Sequence, residues 1–273
     1  MDTQEQEFEE RRLRSYARHF ASLDGLICHP QNRAQTERVF CISGFVVSVM
    51  DKWFFVTAGH VFREIEEVKQ QGQVIEGWAL DCSYSADAKD QFDTPFDLEG
   101  AEPKPEFCEE SGLDYAFVPL RPLVQLNLKA NGLTALDDQA WRRNLPTDFD
   151  EYFLLGIPTE FVSYDPKKGA INKVMVIAPM DKLEDIPEDI PHKKDLFFAR
   201  LHEIPDDAIN VPKSIKGMSG GPIFGLKHGK NGPRYWAVAI QSWWEPQSGI
   251  IRACYLRDLC ESLEKRLQQQ AQE

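Results

Sequence analysis

No window of this 273-residue chain approaches the ~18–20 uninterrupted apolar residues that a membrane-crossing helix needs. Its first residues, MDTQEQEFEERRLRSY, lack the basic start and the apolar stretch of an export signal. The expectation is a cytosolic protein with no membrane partner. Cysteine is sparse. Cys28, Cys41, Cys82, Cys108, Cys254 and Cys260 are spread through the chain without a CxxC pair, which favours reduced, partly buried thiols over a disulfide framework. The six histidines do not fall at zinc-ligand spacings, so neither a metal nor an organic cofactor is expected. Bases are outnumbered, 31 Lys and Arg against 44 Asp and Glu, and the resulting charge of −13 disfavours a general affinity for nucleic acid or anionic lipid. Glycine and proline, 17 each, are at ordinary levels, which excludes collagen-like and low-complexity chains.

An apolar fraction of 42% with 11% aromatics is enough to build a core. Residues 4–23 place Leu13, Tyr16, Ala17 and Phe20 at helical spacing, a pattern that suits packing on the protein body or, as the sharper alternative, a membrane-surface or partner-binding helix. Residues 254–269 carry a cleaner stripe of Leu256, Leu259, Cys260, Leu263 and Leu267. Between these ends the period becomes that of strands. Phe40–Val49 and Trp53–Val56 are joined by a loop short enough for a hairpin, and similar runs follow at Tyr115–Leu120, Tyr152–Leu155, Val174–Ile177, Leu196–Leu201, Pro222–Phe224, Tyr235–Gln241 and Ile250–Ala253. Many short strands without strand–helix–strand alternation indicate an all-β sandwich or barrel. The acidic, proline-containing stretch 85–112 reads as a solvated insertion, and Lys167, Lys168 and Lys173 read as solvated surface. The expected division is an N-terminal helix (1–24), a first β unit (25–122), a linker (123–149), a second β unit (150–253) and a C-terminal helix (254–273).

Three short segments carry chemistry. Val56-Thr57-Ala58-Gly59-His60 puts a histidine after a strand, and Asp114 begins the apolar run Tyr115–Leu120. Either residue alone reads as structural. Lys216-Gly217-Met218-Ser219-Gly220-Gly221-Pro222 surrounds one serine with three glycines, the mark of a tight loop whose backbone comes close to something. Together, in the order His, Asp, Ser, the three segments match the TA-(A/G)-H, D-x-A-x-x-x-L and G-x-S-G-G-P motifs, and here the chain resembles the chymotrypsin/trypsin-like serine protease family. That order differs from those of the α/β-hydrolases and subtilisins.

The resemblance implies two six-stranded antiparallel β-barrels with a cleft between them, flanked here by the two terminal helices. It implies a serine endopeptidase acting on a protein or peptide substrate. Ser219 would be the nucleophile, His60 the general base and acid, and Asp114 the group that orients His60, while the N–H groups of Gly217 and Ser219 would form the oxyanion hole. It places Lys213, six before the serine, at the base of the specificity pocket beside Lys216, favouring an acidic substrate side chain. Ser242, Trp243 and Trp244 would lie on the strand that pairs with the substrate, although the two tryptophans read equally as pocket wall or as ordinary core and rim aromatics. Met218 departs from the family, whose digestive members carry there an aspartate that pairs with a newly released N-terminus. Control therefore falls to another route, a regulatory protein partner among them. The competing class is a binding or scaffold protein of the same fold with latent or lost catalysis.

Overall fold

A computed structural model describes residues 13–84, 93–108, 111–186, 195–202, 213–230 and 232–272. A short helix, α1, covers residues 13–17. After it come β1 (Phe20–His29), β2 (Asn32–Val49), β3 (Lys52–Thr57), α2 (His60–Gln70), β4 (Val74–Asp81), β5 (Thr94–Pro95), β6 (Lys104–Cys108) and β7 (Leu113–Pro119). Helices α3 (Pro122–Ala130) and α4 (Asp138–Trp141) lead to β8 (Glu151–Gly156), β9 (Val162–Asp165), β10 (Ala170–Lys173), β11 (Val176–Lys182) and β12 (Leu196–Leu201). The chain ends with β13 (Pro222–Gly229), β14 (Gly232–Glu245), β15 (Ile250–Tyr255) and α5 (Leu256–Gln270).

The fold is mostly β, as expected, and its second half closes into the six-stranded antiparallel barrel β11-β12-β15-β14-β13-β8. The first half differs from a six-stranded barrel. Its seven strands pair antiparallel in the order β5-β4-β1-β2-β3-β7-β6, and among the described residues the end strands do not pair with each other. The end strand β5 has only two residues, and the second, Pro95, has no N–H to donate across a closing seam. The β2–β3 hairpin turns on Met50 and Asp51, with φ of 51° and 60°, so the two-residue turn follows the strand twist at the cost of two non-glycine residues in the left-handed region.

Several expectations from the sequence are corrected here. Residues 20–24 belong to β1 and not to the N-terminal helix, whose expected residues 1–12 lie outside the described chain. The packing stripe itself is present: Tyr16, Ala17 and Phe20 are buried, with the Tyr16 ring 4.6 Å from that of Phe153. Within 85–112, residues 85–92 and 109–110 are not described, but Phe96, Leu98 and Ala101 are core residues and β6 pairs with β7, so this part is not a solvated insertion. The stretch 123–149 also contributes Leu128, Leu133, Leu136 and Trp141 to the core.

Lys173 supplies the largest correction. It is 6% exposed at its side chain, not surface, and it reaches from the β9–β10 hairpin into the first sheet. Its Nζ donates to Asp24 of β1, to Ser22 Oγ at 2.8 Å and lies 2.8 Å from Asp81 Oδ2 of β4. Burial pushes the Asp24 carboxyl upward against the pull of Lys173, and the two carboxylates hold the ammonium charged despite its own burial. Removing the only cation of this buried group leaves two unpaired carboxylates. Lys173→Ala should therefore cost about 3–5 kcal/mol in urea denaturation, whereas Lys167→Ala, at an exposed position, should leave the midpoint unchanged. Equal midpoints for the two variants would show that the ion cluster does not contribute.

Candidate functional site

The site is assembled from two sheets. After β3 the chain passes Ala58 and Gly59 and enters α2 at His60. A Cβ on Gly59 would come within 2.5 Å of the Glu106 carbonyl oxygen and 2.9 Å of that of Tyr115, so only glycine lets the chain run this close to the β6–β7 pair. Val61, Ile65 and Val68, spaced i, i+4 and i+7, bury one face of α2 and fix its first residue relative to the sheet. Asp114, on β7 and 2% exposed, meets that first residue twice. Its Oδ1 accepts the His60 backbone N–H at 2.8 Å, and its Oδ2 lies 2.7 Å from His60 Nδ1. One carboxylate thus satisfies an otherwise orphan N–H at the start of a helix and selects the ring tautomer with Nδ1 protonated, which leaves Nε2 as the basic nitrogen.

Burial alone would lower the His60 pKa. The hydrogen bond from the ring to Asp114 and the negative charge of that carboxylate, with a smaller contribution from Glu64, outweigh it and hold the imidazole above its ordinary 6.5. Glu64, one turn along α2, places Oε1 3.9 Å from Nε2. Among the described residues, Nε2 makes no hydrogen bond to Ser219, although the two side chains line the same cleft.

The serine loop precedes β13. Gly217 adopts φ +92°, a region that a side chain rarely enters, and a Cβ there would collide with the Thr159 side chain. Successive peptide planes in this loop are held by their carbonyls. The Lys216 carbonyl accepts the Thr159 N–H at 2.7 Å, the Gly217 carbonyl accepts the Ser43 hydroxyl at 3.0 Å, and the Met218 carbonyl accepts the Gly221 N–H at 2.9 Å. In a planar trans peptide the C=O and N–H point in opposite directions. Anchoring the Lys216 and Met218 carbonyls therefore turns the N–H groups of Gly217 and Ser219 away from those anchors, and neither has an acceptor among the described residues. The Met218 N–H is occupied by the Ile215 carbonyl at 3.0 Å, and its side chain is fully buried with Leu154, Ile215 and Ile223.

His60, Lys216, Gly217, Ser219, Ser242, Trp243 and Trp244 all line one cleft of about 900 Å³, with Asp114 behind His60 in an adjoining cavity of about 540 Å³. Lys213 is the exception. It is exposed and absent from the lining, and buried Ile215 faces the cleft instead. An ammonium at an apolar floor would be desolvated without a partner, whereas at its observed position it stays in water. The readings of the tryptophans meet in Trp243, which lines the cleft and also packs on the core, with the Arg252 guanidinium 5.5 Å from its ring centroid. Sequence reasoning missed α2, whose Val61, Ile65 and Val68 spacing was visible, and missed Ser43 and Thr159, which carry no local signal.

No family model matches the sequence, and no curated protein matches it. Among solved structures, the tobacco vein mottling virus protease aligns over 88% of this chain and 77% of its own at 8% identity, with a TM-score of 0.44. A mutant of the tobacco etch virus protease aligns over 90% and 77% at 10% identity, with a TM-score of 0.39. Among the described residues no helix is long and apolar enough to cross a membrane, and no cluster of three or more His, Cys, Asp or Glu side chains is placed to hold a metal ion.

The paired hydrogen bonds make a measurable demand on His60. Its imidazole should titrate above 6.5 in an NMR pH series, and Asp114→Asn, which removes the negative charge, should move the midpoint downward. An unchanged midpoint would show that Asp114 does not set the protonation of the ring.

Proposed function

We propose that this chain is a serine endopeptidase. The observation that supports it best is the double hydrogen bond of Asp114 to His60 beside a cleft that also holds Ser219 and two uncommitted N–H groups. In this reading, substrate enters the cleft and the Ser219 Oγ attacks the peptide carbonyl carbon while His60 Nε2 takes the hydroxyl proton. The carbonyl oxygen becomes an anion and is received by the N–H groups of Gly217 and Ser219. Collapse of the tetrahedral intermediate breaks the C–N bond, and the leaving amine departs with the proton from His60. The acyl ester on Ser219 is then attacked by water, which gives its proton to His60. Breakdown of the second intermediate returns that proton to Ser219 and frees the carboxylic acid product. Asp114 keeps Nε2 aimed and stabilises the imidazolium formed in each half-reaction.

With Lys213 outside the cleft, an acidic preference has no support from that residue. Ile215 and Val162 offer apolar contact, and Lys216 is the cation on the rim beside Gly217.

A fluorophosphonate probe tests the nucleophile directly. The wild-type protein should be labelled and Ser219→Ala should not. Equal labelling of the two would overturn the serine assignment, and failure to label either would favour the latent or scaffold class. For the anion site, Gly217→Ala should lower kcat about 10²- to 10³-fold with the fold retained by circular dichroism. Wild-type kcat in that variant would remove Gly217 from the reaction.

A further inference from the structure

Ser43 stands outside the triad and the oxyanion hole, yet it touches both halves of the site. It lies in β2 of the first sheet, opposite Ser22, and is completely buried. Its hydroxyl accepts the Ile157 N–H at 2.9 Å and donates to the Gly217 carbonyl at 3.0 Å, both in the second half of the chain. Its own carbonyl accepts the Thr57 hydroxyl at 2.8 Å, three residues before His60. The approach is close from the other side as well, since a Cβ on Gly220 would lie 2.5 Å from the Ser43 carbonyl oxygen.

The bond to Gly217 falls at a sensitive place. The peptide between Gly217 and Met218 lies between the two peptides that carry the candidate anion-binding N–H groups. Fixing it sets ψ of Gly217 and φ of Met218, and so the spacing and relative direction of the two donors. Gly217, at φ +92° and without a side chain, has the freedom to let this plane rotate if nothing holds it.

We infer that Ser43 is a positioning residue for the proposed reaction. It sets the register of the serine loop against the histidine-bearing sheet and holds the Gly217–Met218 peptide in the orientation that aims both donors at the cleft. This rests on the peptidase reading. A purely structural role, satisfying two buried backbone groups, would lower stability without changing the rate of each folded molecule.

The experiment compares wild type with Ser43→Ala, normalising rates by active-site titration with the fluorophosphonate probe. Ser43→Ala should lower kcat per titrated site about 10- to 100-fold with KM within about twofold. Hydrogen exchange of the Met218 amide, whose bond to the Ile215 carbonyl depends on the same peptide plane, should accelerate. Unchanged kcat per site would overturn the positioning role, whatever the loss in melting temperature. If Ser43→Ala fails to fold, Ser43→Cys, which keeps the shape and substitutes a weak donor, is read by the same criteria. Absence of labelling in wild type would count against the peptidase reading itself. In that case Met218 exchange alone decides whether Ser43 holds the loop, acceleration supporting it and a wild-type rate overturning it.

Discussion

The buried carboxylate of Asp114 is the point on which the site depends. It begins an apolar strand and could not remain charged there without donors. The donors come from one residue, His60, through its backbone N–H and its ring. Because the backbone bond also anchors the first turn of α2, the imidazole is held by a helix start as well as by its own hydrogen bond. Tautomer, ring orientation and helix position are therefore one constraint. Gly59 is its steric condition, allowing the histidine to arrive where the aspartate waits.

The serine loop follows a parallel logic built from peptide planes instead of charge. Three carbonyls are anchored and two N–H groups remain unclaimed, so the loop presents donors by committing their opposite ends elsewhere. Such groups are costly in a packed interior and inexpensive beside a solvated cleft, which is where they lie. The full burial of Met218 fits the same pattern, since its apolar side chain seats the loop on the second barrel without an ion pair.

What was legible in the sequence was local chemistry. His60, Asp114 and the Gly217–Gly221 loop each sit in a short pattern, and the strands around them alternate or run apolar in recognisable ways. Strand β1 was hidden because Ser22 and Asp24 place polar groups where a core strand should be apolar, and their explanation is Lys173, 149 residues away from Asp24. The same distance made Lys173 read as surface. Helix α2 is different, because its spacing was present and was overlooked beside the histidine motif. Lys213 was misplaced because counting residues along a loop does not reveal which of them the loop turns inward, and burial of Ile215 decided that. Ser43 left no trace, since a hydroxyl that bridges two sheets looks in sequence like any serine in a strand.

The ion cluster also bears on how the chain is made. Synthesis proceeds from the N-terminus, and domains tend to settle as they emerge. Asp24 and Asp81 leave the ribosome well before Lys173, so the first sheet carries uncompensated acid in its interior until the β9–β10 hairpin arrives to neutralise it. The histidine-bearing half is thereby kept from maturing ahead of the serine-bearing half. For a chain that cuts peptides, this order of events means that an unfinished copy has no completed cleft with which to attack its neighbours.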